Sequence, residues 1–329
     1  MEKIALVTGA NGHLGNNLVR RLIAKGQRVR AGVRNLENTD PFKGLNCEVV
    51  FADLLDKKSL FPALEGVDTL YQVGAVFQHW AKNPEKDIIQ PNLMGTKNIL
   101  EVAAQQKVRK VVYVSSITAL DRSRLHMNEM SWNSNPINPY YQSKTESEKT
   151  ALRLAKEQNL FIVSVLPAAM VGPHCYGRLT PTMKILDAVL KNQQPIDVDF
   201  HINFVSIEDV VEGMIAAQKK GRNGERYILG NESPVSTSDI LKIAMTMFPG
   251  VKSLLKPPKF MINTLAFLIE VSSKITGKEP GLTQYMVKMY YRDKHTLDLS
   301  KSCRELGYNP KNPIEAIKAT LKYLNQRTS

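Results

Sequence analysis

Ile4-Ala5-Leu6-Val7-Thr8-Gly9-Ala10-Asn11-Gly12-His13-Leu14-Gly15 opens the chain and decides its fold. A short apolar run leads into three glycines spaced three apart. A stretch with Leu14, Leu18, Val19, Leu22 and Ile23 at helical intervals follows. The pattern reads as strand, tight turn and amphipathic helix. Gly9 permits the turn, Gly12 lets the backbone approach a pyrophosphate, and Gly15 lets the helix pack against the strand. Unpaired N–H groups in the first helical turn attract phosphate. Such glycine spacing also occurs in purely structural turns, and its place between strand and helix is what marks a dinucleotide turn. The expected cofactor contacts are Gly9, Asn11, Gly12, His13, Leu14 and Gly15.

Apolar strand-like runs recur at 3–8, 28–33, 47–51, 68–74, 111–115 and 161–166, separated by helical stretches at 13–25, 56–65, 88–106 and 141–158. Alternation of this kind predicts an α/β fold, a Rossmann-type doubly wound parallel sheet covered on both faces. Its cofactor cleft lies at the carboxyl ends of the strands. Asp53 and Leu54 then fall near the adenine, and Val73, Gly74 and Ala75 where the cofactor passes close to backbone. Gly74 reads equally as a plain strand-end turn. Beyond Pro167 the alternation gives way to proline joints and helical patterns at 180–191, 236–247, 257–275 and 313–325. The expected division is a dinucleotide-binding domain over 1–173, with 202–217 returning to it, and a smaller, mainly helical substrate lobe over 174–329. Ser206 is the expected cap of a helix starting near 207.

The second strand, Arg28 to Arg34, bears on cofactor choice. Enzymes preferring NAD place an acid near its end to hold the ribose 2′-hydroxyl. No acid lies between Arg28 and Asn35, and Arg34 sits where a 2′-phosphate belongs. A guanidinium suits phosphate in charge and geometry. NADP(H) is therefore the preferred cofactor, with NAD(H) the alternative; a solvated Arg34 is the competing reading.

Tyr140 and Lys144 stand four apart, on one face of any helix they share. Asn138-Pro139 suits that helix's start. A cationic lysine beside a phenol favours the phenolate. Lowering the phenol from about 10 to about 7 takes roughly 4 kcal/mol, which the lysine and a positive nicotinamide would supply together. Tyr140 is thus the candidate general acid. Ser115 and Ser116 end the apolar strand Val111-Val112-Tyr113-Val114, where a hydroxyl can stabilise a carbonyl oxygen gaining charge. Ser116 is preferred for that role and Ser115 is the alternative. His79 and Trp80 read either as substrate-pocket residues or as ordinary loop residues.

The 329 residues suffice for one large or two modest domains. Cys47, Cys175 and Cys303 have no metal-ligand spacing, no other metal cluster is evident, and the cysteine usage suits a reducing compartment. No charged-then-apolar leader precedes the first strand, which predicts a cytoplasmic protein. Phe260 to Ile275 is too short and too polar to span a bilayer. The net charge of +13 comes from scattered residues with no nucleic-acid recognition signature, so no nucleic-acid partner is expected. It reads as a basic surface that can also attract an anionic cofactor, substrate or membrane.

In order, TGANGHLG, VRAGVRN, ADL at 52–54, PNLMGTKNILEVA at 91–103, VYVSS, PYYQSK, VGP at 171–173, INFVSIEDVVEG at 202–213, GERYILG at 224–230 and ELGYNP at 305–310 span almost the whole chain. The chain resembles an extended short-chain dehydrogenase/reductase. It is most similar to the dihydroflavonol 4-reductase-like and hopanoid-associated sugar epimerase-like groups. The resemblance implies a catalytic Ser116, Tyr140 and Lys144, with Asn92 orienting the lysine through water and Pro167 and Met170 along the nicotinamide. It also implies B-side hydride transfer and a homodimer interface on the helices near 88–106 and 141–158. Members acting on sugar nucleotides carry an arginine and then an asparagine after the sixth strand; Leu166-Pro167-Ala168-Ala169 offers neither. Their arginine before the Phe-Val segment stands here as Asn203. The expected activity is reduction of a ketone or aldehyde, on a small-molecule carbonyl substrate of hydrophobic character. The rivals are an epimerase or dehydratase without net redox change, and a nucleotide-binding sensor or scaffold.

Overall fold

A computed structural model describes residues 3–136, 138–177 and 179–328. Seven parallel strands form its central sheet: β1 (Ile4–Thr8), β2 (Arg28–Val33), β3 (Glu48–Phe51), β4 (Val67–Gln72), β5 (Lys110–Val114), β6 (Ile162–Pro167) and β7 (Arg226–Leu229). Their order is β7-β6-β5-β4-β1-β2-β3. Chain direction across the sheet reverses between β1 and β4, which opens a cleft at their carboxyl ends. In register, Ile4 pairs with Arg28 and Val7 with Ala31 on one side, while Val7 pairs with Tyr71 on the other. Six strands stand where the apolar runs lie. The seventh, β7, is short and adds an edge beside β6, Arg226 pairing with Ser164.

Helices cover both faces because the strands are apolar on both sides. One face carries α1 (His13–Ala24) and α6 (Ile207–Lys220), with Leu18, Leu22, Val210 and Met214 fully buried. The other carries α2 (Lys57–Leu64), α3 (Gln90–Gln105) and α4 (Pro139–Glu157), with Leu60, Ile99, Leu100 and Ala151 in its core. Ser206 caps α6 by accepting from the Glu208 N–H, and Asn138 caps α4 by accepting from that of Tyr140. Between and beyond these lie α5 (Pro181–Leu190), α7 (Thr237–Met247), α8 (Lys259–Thr276), α9 (Gln284–Tyr290), α10 (Ser300–Leu306) and α11 (Pro313–Thr328). Helices α5, α7 and α11 share one small core around Met183, Ile240 and Leu321, and α8 and α9 share another around Ile262 and Val287. Helices α9 and α10 have no counterpart in the sequence expectations, being only seven residues each.

Three short strand pairs lie outside the central sheet. Ala169–Val171 runs parallel to Phe204–Ser206, His201–Ile202 antiparallel to Val235–Ser236, and His126–Met127 parallel to Thr296–Leu297. A buried ion pair ties the sheet to α4. The Arg226 guanidinium meets Glu148 through Nε at 2.9 Å and Nη2 at 3.0 Å, and Glu148 has no exposure at all. Ser115 and Ser164 donate to the same carboxylate. Arg226 also donates to the carbonyls of Glu129 and Ser131 and lies 3.6 Å from the Trp132 ring centroid.

Replacing Glu148 by alanine strands a buried guanidinium and is expected to cost about 3–5 kcal/mol in denaturant unfolding. Glu157→Ala, at the exposed Arg153–Glu157 pair, should cost about 0.5 kcal/mol or less. Equal losses at the two sites would remove the buried pair's special place.

Candidate active site

The β1–α1 turn is built by exclusion of side chains. Gly9 has φ +60°, and a Cβ there would lie 2.9 Å from Gly74 Cα. A Cβ on Gly15 would lie 2.2 Å from the Gly9 carbonyl oxygen, so only glycine lets α1 begin this close to the turn. Thr8, at the end of β1, fixes the other wall. Its Oγ1 accepts from the Val73 and Gly74 N–H groups, each at 3.0 Å, and donates to Gln72 at 2.8 Å. No side chain caps α1 and no acid stands in its first turn. Its leading N–H groups are thereby left for an anion, and the helix dipole favours one there. This donor set fits a dinucleotide pyrophosphate.

The cleft encloses about 1060 Å³, at the upper end of ordinary ligand pockets. Every anticipated cofactor residue lines it: Gly9, Asn11, Gly12, His13, Leu14, Gly15, Arg34, Asp53, Leu54, Val73, Gly74, Ala75, Pro167 and Met170. Several of them face other duties as well. His13 Nε2 lies 3.1 Å from the Gly172 carbonyl and 3.0 Å from that of Pro173. Burial pushes its pKa down to about 4, so it stays neutral and brings no charge to the phosphate turn. The Asp53 carboxylate accepts from the Leu55 N–H, shaping its own turn. Leu54 packs over Gly95 and Gly74, where any larger residue would meet it. Arg34 is exposed at the end of β2, on the rim.

At the other end of the cleft, Ser116, Tyr140 and Lys144 come together, all three nearly or fully buried. Asn138 and Pro139 start α4 so that Tyr140 and Lys144 share its inward face. The two serines part company. Ser115 donates to Glu148 at 2.7 Å and belongs to the scaffold, whereas the Ser116 hydroxyl lines the cleft with Tyr140 and favours the ionised phenol. Lys144 Nζ donates to the Val114 carbonyl at 3.2 Å.

The chain's own groups do not supply the expected drop in the Tyr140 pKa. Burial pushes the phenol above its ordinary range, and the Ser116 hydroxyl pulls it only partly back. Lys144 gives it no direct contact, being turned to Val114, and burial pushes the ammonium itself down to about 8 against the pull of Glu148. Among the protein's own groups, then, Tyr140 is held as a neutral phenol, the form that can donate a proton.

Asn92 is turned away from Lys144. Its Oδ1 accepts from the Val76 N–H at 2.7 Å, and its Nδ2 donates to the Val76 carbonyl and to Ser143, both at 3.1 Å. It pins the loop after β4 to α4. A cavity of about 10 Å³ lies between Asn92, Lys144, Gln72, Thr96 and Ser147. That is about the space of one water, so water linkage between Asn92 and Lys144 has room.

Beyond Tyr140 the cleft turns apolar. His79 and Trp80 both line it, and the rings of Phe77 and His79 lie 4.9 and 4.8 Å from that of Tyr140. Ile185, Ile196, Val198, Leu265, Ile269 and Met286 form the far wall. Sequence reading missed all six, because an apolar residue lining a pocket has the same pattern as one filling a core. Two of the polar groups here are engaged elsewhere. Arg122 pairs with Asp293 at 2.7 Å, and Asn203 is spent on the backbone of Asn231.

A sequence model of the NAD dependent epimerase/dehydratase family matches residues 5–230. The chain is 33% identical to a Synechocystis sp. protein assigned as a dihydroflavonol 4-reductase, over 98% of this chain and 93% of that one. It is 30% identical to sterol demethylase protein B of Methylococcus capsulatus, over 98% of each. Its fold superposes on the crystal structure of gox2253 with a TM-score of 0.84 at 31% identity, covering 99% of both chains. With its glycine turn, seven-stranded sheet and Ser-Tyr-Lys cluster, the chain belongs to the NAD-dependent epimerase/dehydratase family, within the extended short-chain dehydrogenases/reductases.

Proposed function

We propose that this protein is an NADPH-dependent reductase of a hydrophobic ketone or aldehyde. The observation that carries the reading is the apolar wall beyond Tyr140, where, among the described residues, Arg122 is already paired with Asp293. The names of the two relatives, a dihydroflavonol reductase and a sterol-processing protein, point to the same class of molecule.

Reduced nicotinamide, when bound, supplies the hydride. The α1 N-terminus and the turn from Gly9 to Gly15 would hold its pyrophosphate, Arg34 a 2′-phosphate, and Pro167 and Met170 the nicotinamide end. Ser116 donates a hydrogen bond to the substrate oxygen as negative charge grows there. Tyr140 gives that oxygen its proton, for which burial keeps the phenol in the correct form. Lys144, a cation below pH about 8, restores charge balance next to the phenol as its proton leaves. Phe77 and His79 shield the exchange from water. Asn92 holds the loop and α4 in register.

Tyr140→Phe should reduce NADPH-dependent turnover of apolar ketones by about 10²–10⁴-fold while leaving the NADPH Kd near wild type. Retained turnover would take the proton transfer away from Tyr140. An epimerase would instead hold its nucleotide through purification and consume no NADPH.

Arg34→Glu should weaken NADPH by about 1.5–3 kcal/mol, the worth of a charged hydrogen bond, and NADH far less. Equal losses for the two cofactors, measured by fluorescence titration, would leave Arg34 a rim charge only.

Burial lowers the Lys144 pKa, so the cation is present at low pH and lost as pH rises through about 8. kcat/KM for NADPH reports the free enzyme and should fall across that range. A profile flat to pH 10 would assign the charge elsewhere.

A further inference from the structure

Helix α8 has two unlike faces. Ile262, Ala266 and Ser273 are buried, and the neighbouring Leu265 and Ile269 line the apolar end of the cleft. On the opposite arc Phe260, Met261, Phe267, Leu268, Val271 and Ile275 are all exposed, Ile275 to 81%. At one residue per 100° these six fall within about 120° of the helix surface, with only Thr264 among them. Leu255, just upstream, is 82% exposed and extends the patch. A contiguous apolar face of this kind marks an interaction surface.

Its surroundings are cationic. Lys252 and Lys259 stand at one end of the helix, with Lys256 between them paired to Asp199 at 2.8 Å, and Lys274 and Lys278 stand at the other. Lys82 lies against Gly277 at that same end. Residues 251–280 hold five lysines and two glutamates. One of these, Glu270, turns inward to accept from the Gln284 N–H.

We propose that this face of α8 docks on a bilayer carrying anionic lipid. Phe260, Phe267, Leu268 and Ile275 enter the acyl boundary and the lysines meet the headgroups, the arrangement of an in-plane amphipathic helix. No described helix is long and apolar enough to cross a membrane, so α8 lies on it and does not span it. A second copy fits less well. Two-fold pairing of this patch would set its lysines against their own copies, and six side chains from one helix fall far short of the roughly 20–30 residues a side of a stable interface. One helix carries both the membrane face and part of the cleft wall. On the reductase reading proposed above, a lipid-soluble carbonyl compound then passes from bilayer to cleft along α8.

The test is flotation of the purified full chain with phosphatidylcholine vesicles, with and without phosphatidylglycerol. The wild type should float with the anionic vesicles. Phe267→Ser, Leu268→Ser and Ile275→Ser together should lower the bound fraction at least about tenfold, with thermal unfolding unchanged since all three are exposed. Lys274→Glu with Lys278→Glu should weaken binding to anionic vesicles only. No flotation of the wild type, or equal flotation of the serine variant, overturns the proposal. So does a wild-type dimer, in sedimentation without vesicles, that the serine substitutions dissociate while flotation is absent; that result gives the face to a second copy. Flotation needs neither substrate nor NADPH, so failure here and failure of the reductase reading are separate results.

Discussion

The Glu148–Arg226 pair holds the reacting end of the cleft together. Two charges withdrawn from water cost several kcal/mol each, and they persist only where geometry and further hydrogen bonds compensate. Here the compensation comes from four different parts of the chain. Glu148 belongs to α4, Ser115 to the end of β5, Ser164 to β6, and Arg226 to the edge strand β7. The loop around Trp132 closes over the guanidinium. Glu148 follows Lys144 by one helical turn, and Ser115 precedes Ser116 by one residue. Fixing the carboxylate therefore fixes the relation between the phenol, the ammonium and the hydroxyl that would act on a carbonyl.

The cleft is divided by chemistry along its length. Near β1 it is backbone: a glycine turn, uncapped helix N–H groups, and the Thr8 hydroxyl holding the β4 end against it. In the middle is a compact buried set of hydroxyl, phenol and ammonium. At the far end it is aliphatic and aromatic, with Arg122 paired to Asp293. An anion is favoured at one end, proton transfer in the middle, and an apolar molecule at the other.

The sheet and the first half of the cleft were legible because their signals are local. Gly9, Gly12 and Gly15 lie within seven residues, and Asn138 to Lys144 lie within about two helical turns. Strand β7 was not, since four residues carry too little period to separate strand from loop, and its Arg226 looks like a surface charge until Glu148 is placed beside it. The roles of Ser115 and Asn92 were illegible for the same reason: their partners, Glu148 and Val76, are distant in sequence or made of backbone. The opposing effect on Tyr140 was not legible, because sequence spacing brings Lys144 near but says nothing of desolvation. At this phenol, among the chain's own groups, burial outweighs proximity.

The pairing of His126–Met127 with Thr296–Leu297 joins residues 170 positions apart. A contact this distant must close a very long loop before it gains anything, and such contacts form late. The glycine turn and its neighbouring strands can assemble early from adjacent segments, but the wall facing Tyr140 waits for residues near the carboxyl end. During synthesis the nucleotide half can thus take shape on the ribosome well before the far wall of the cleft exists. A nascent chain would hold a cofactor-shaped groove still open at its apolar end.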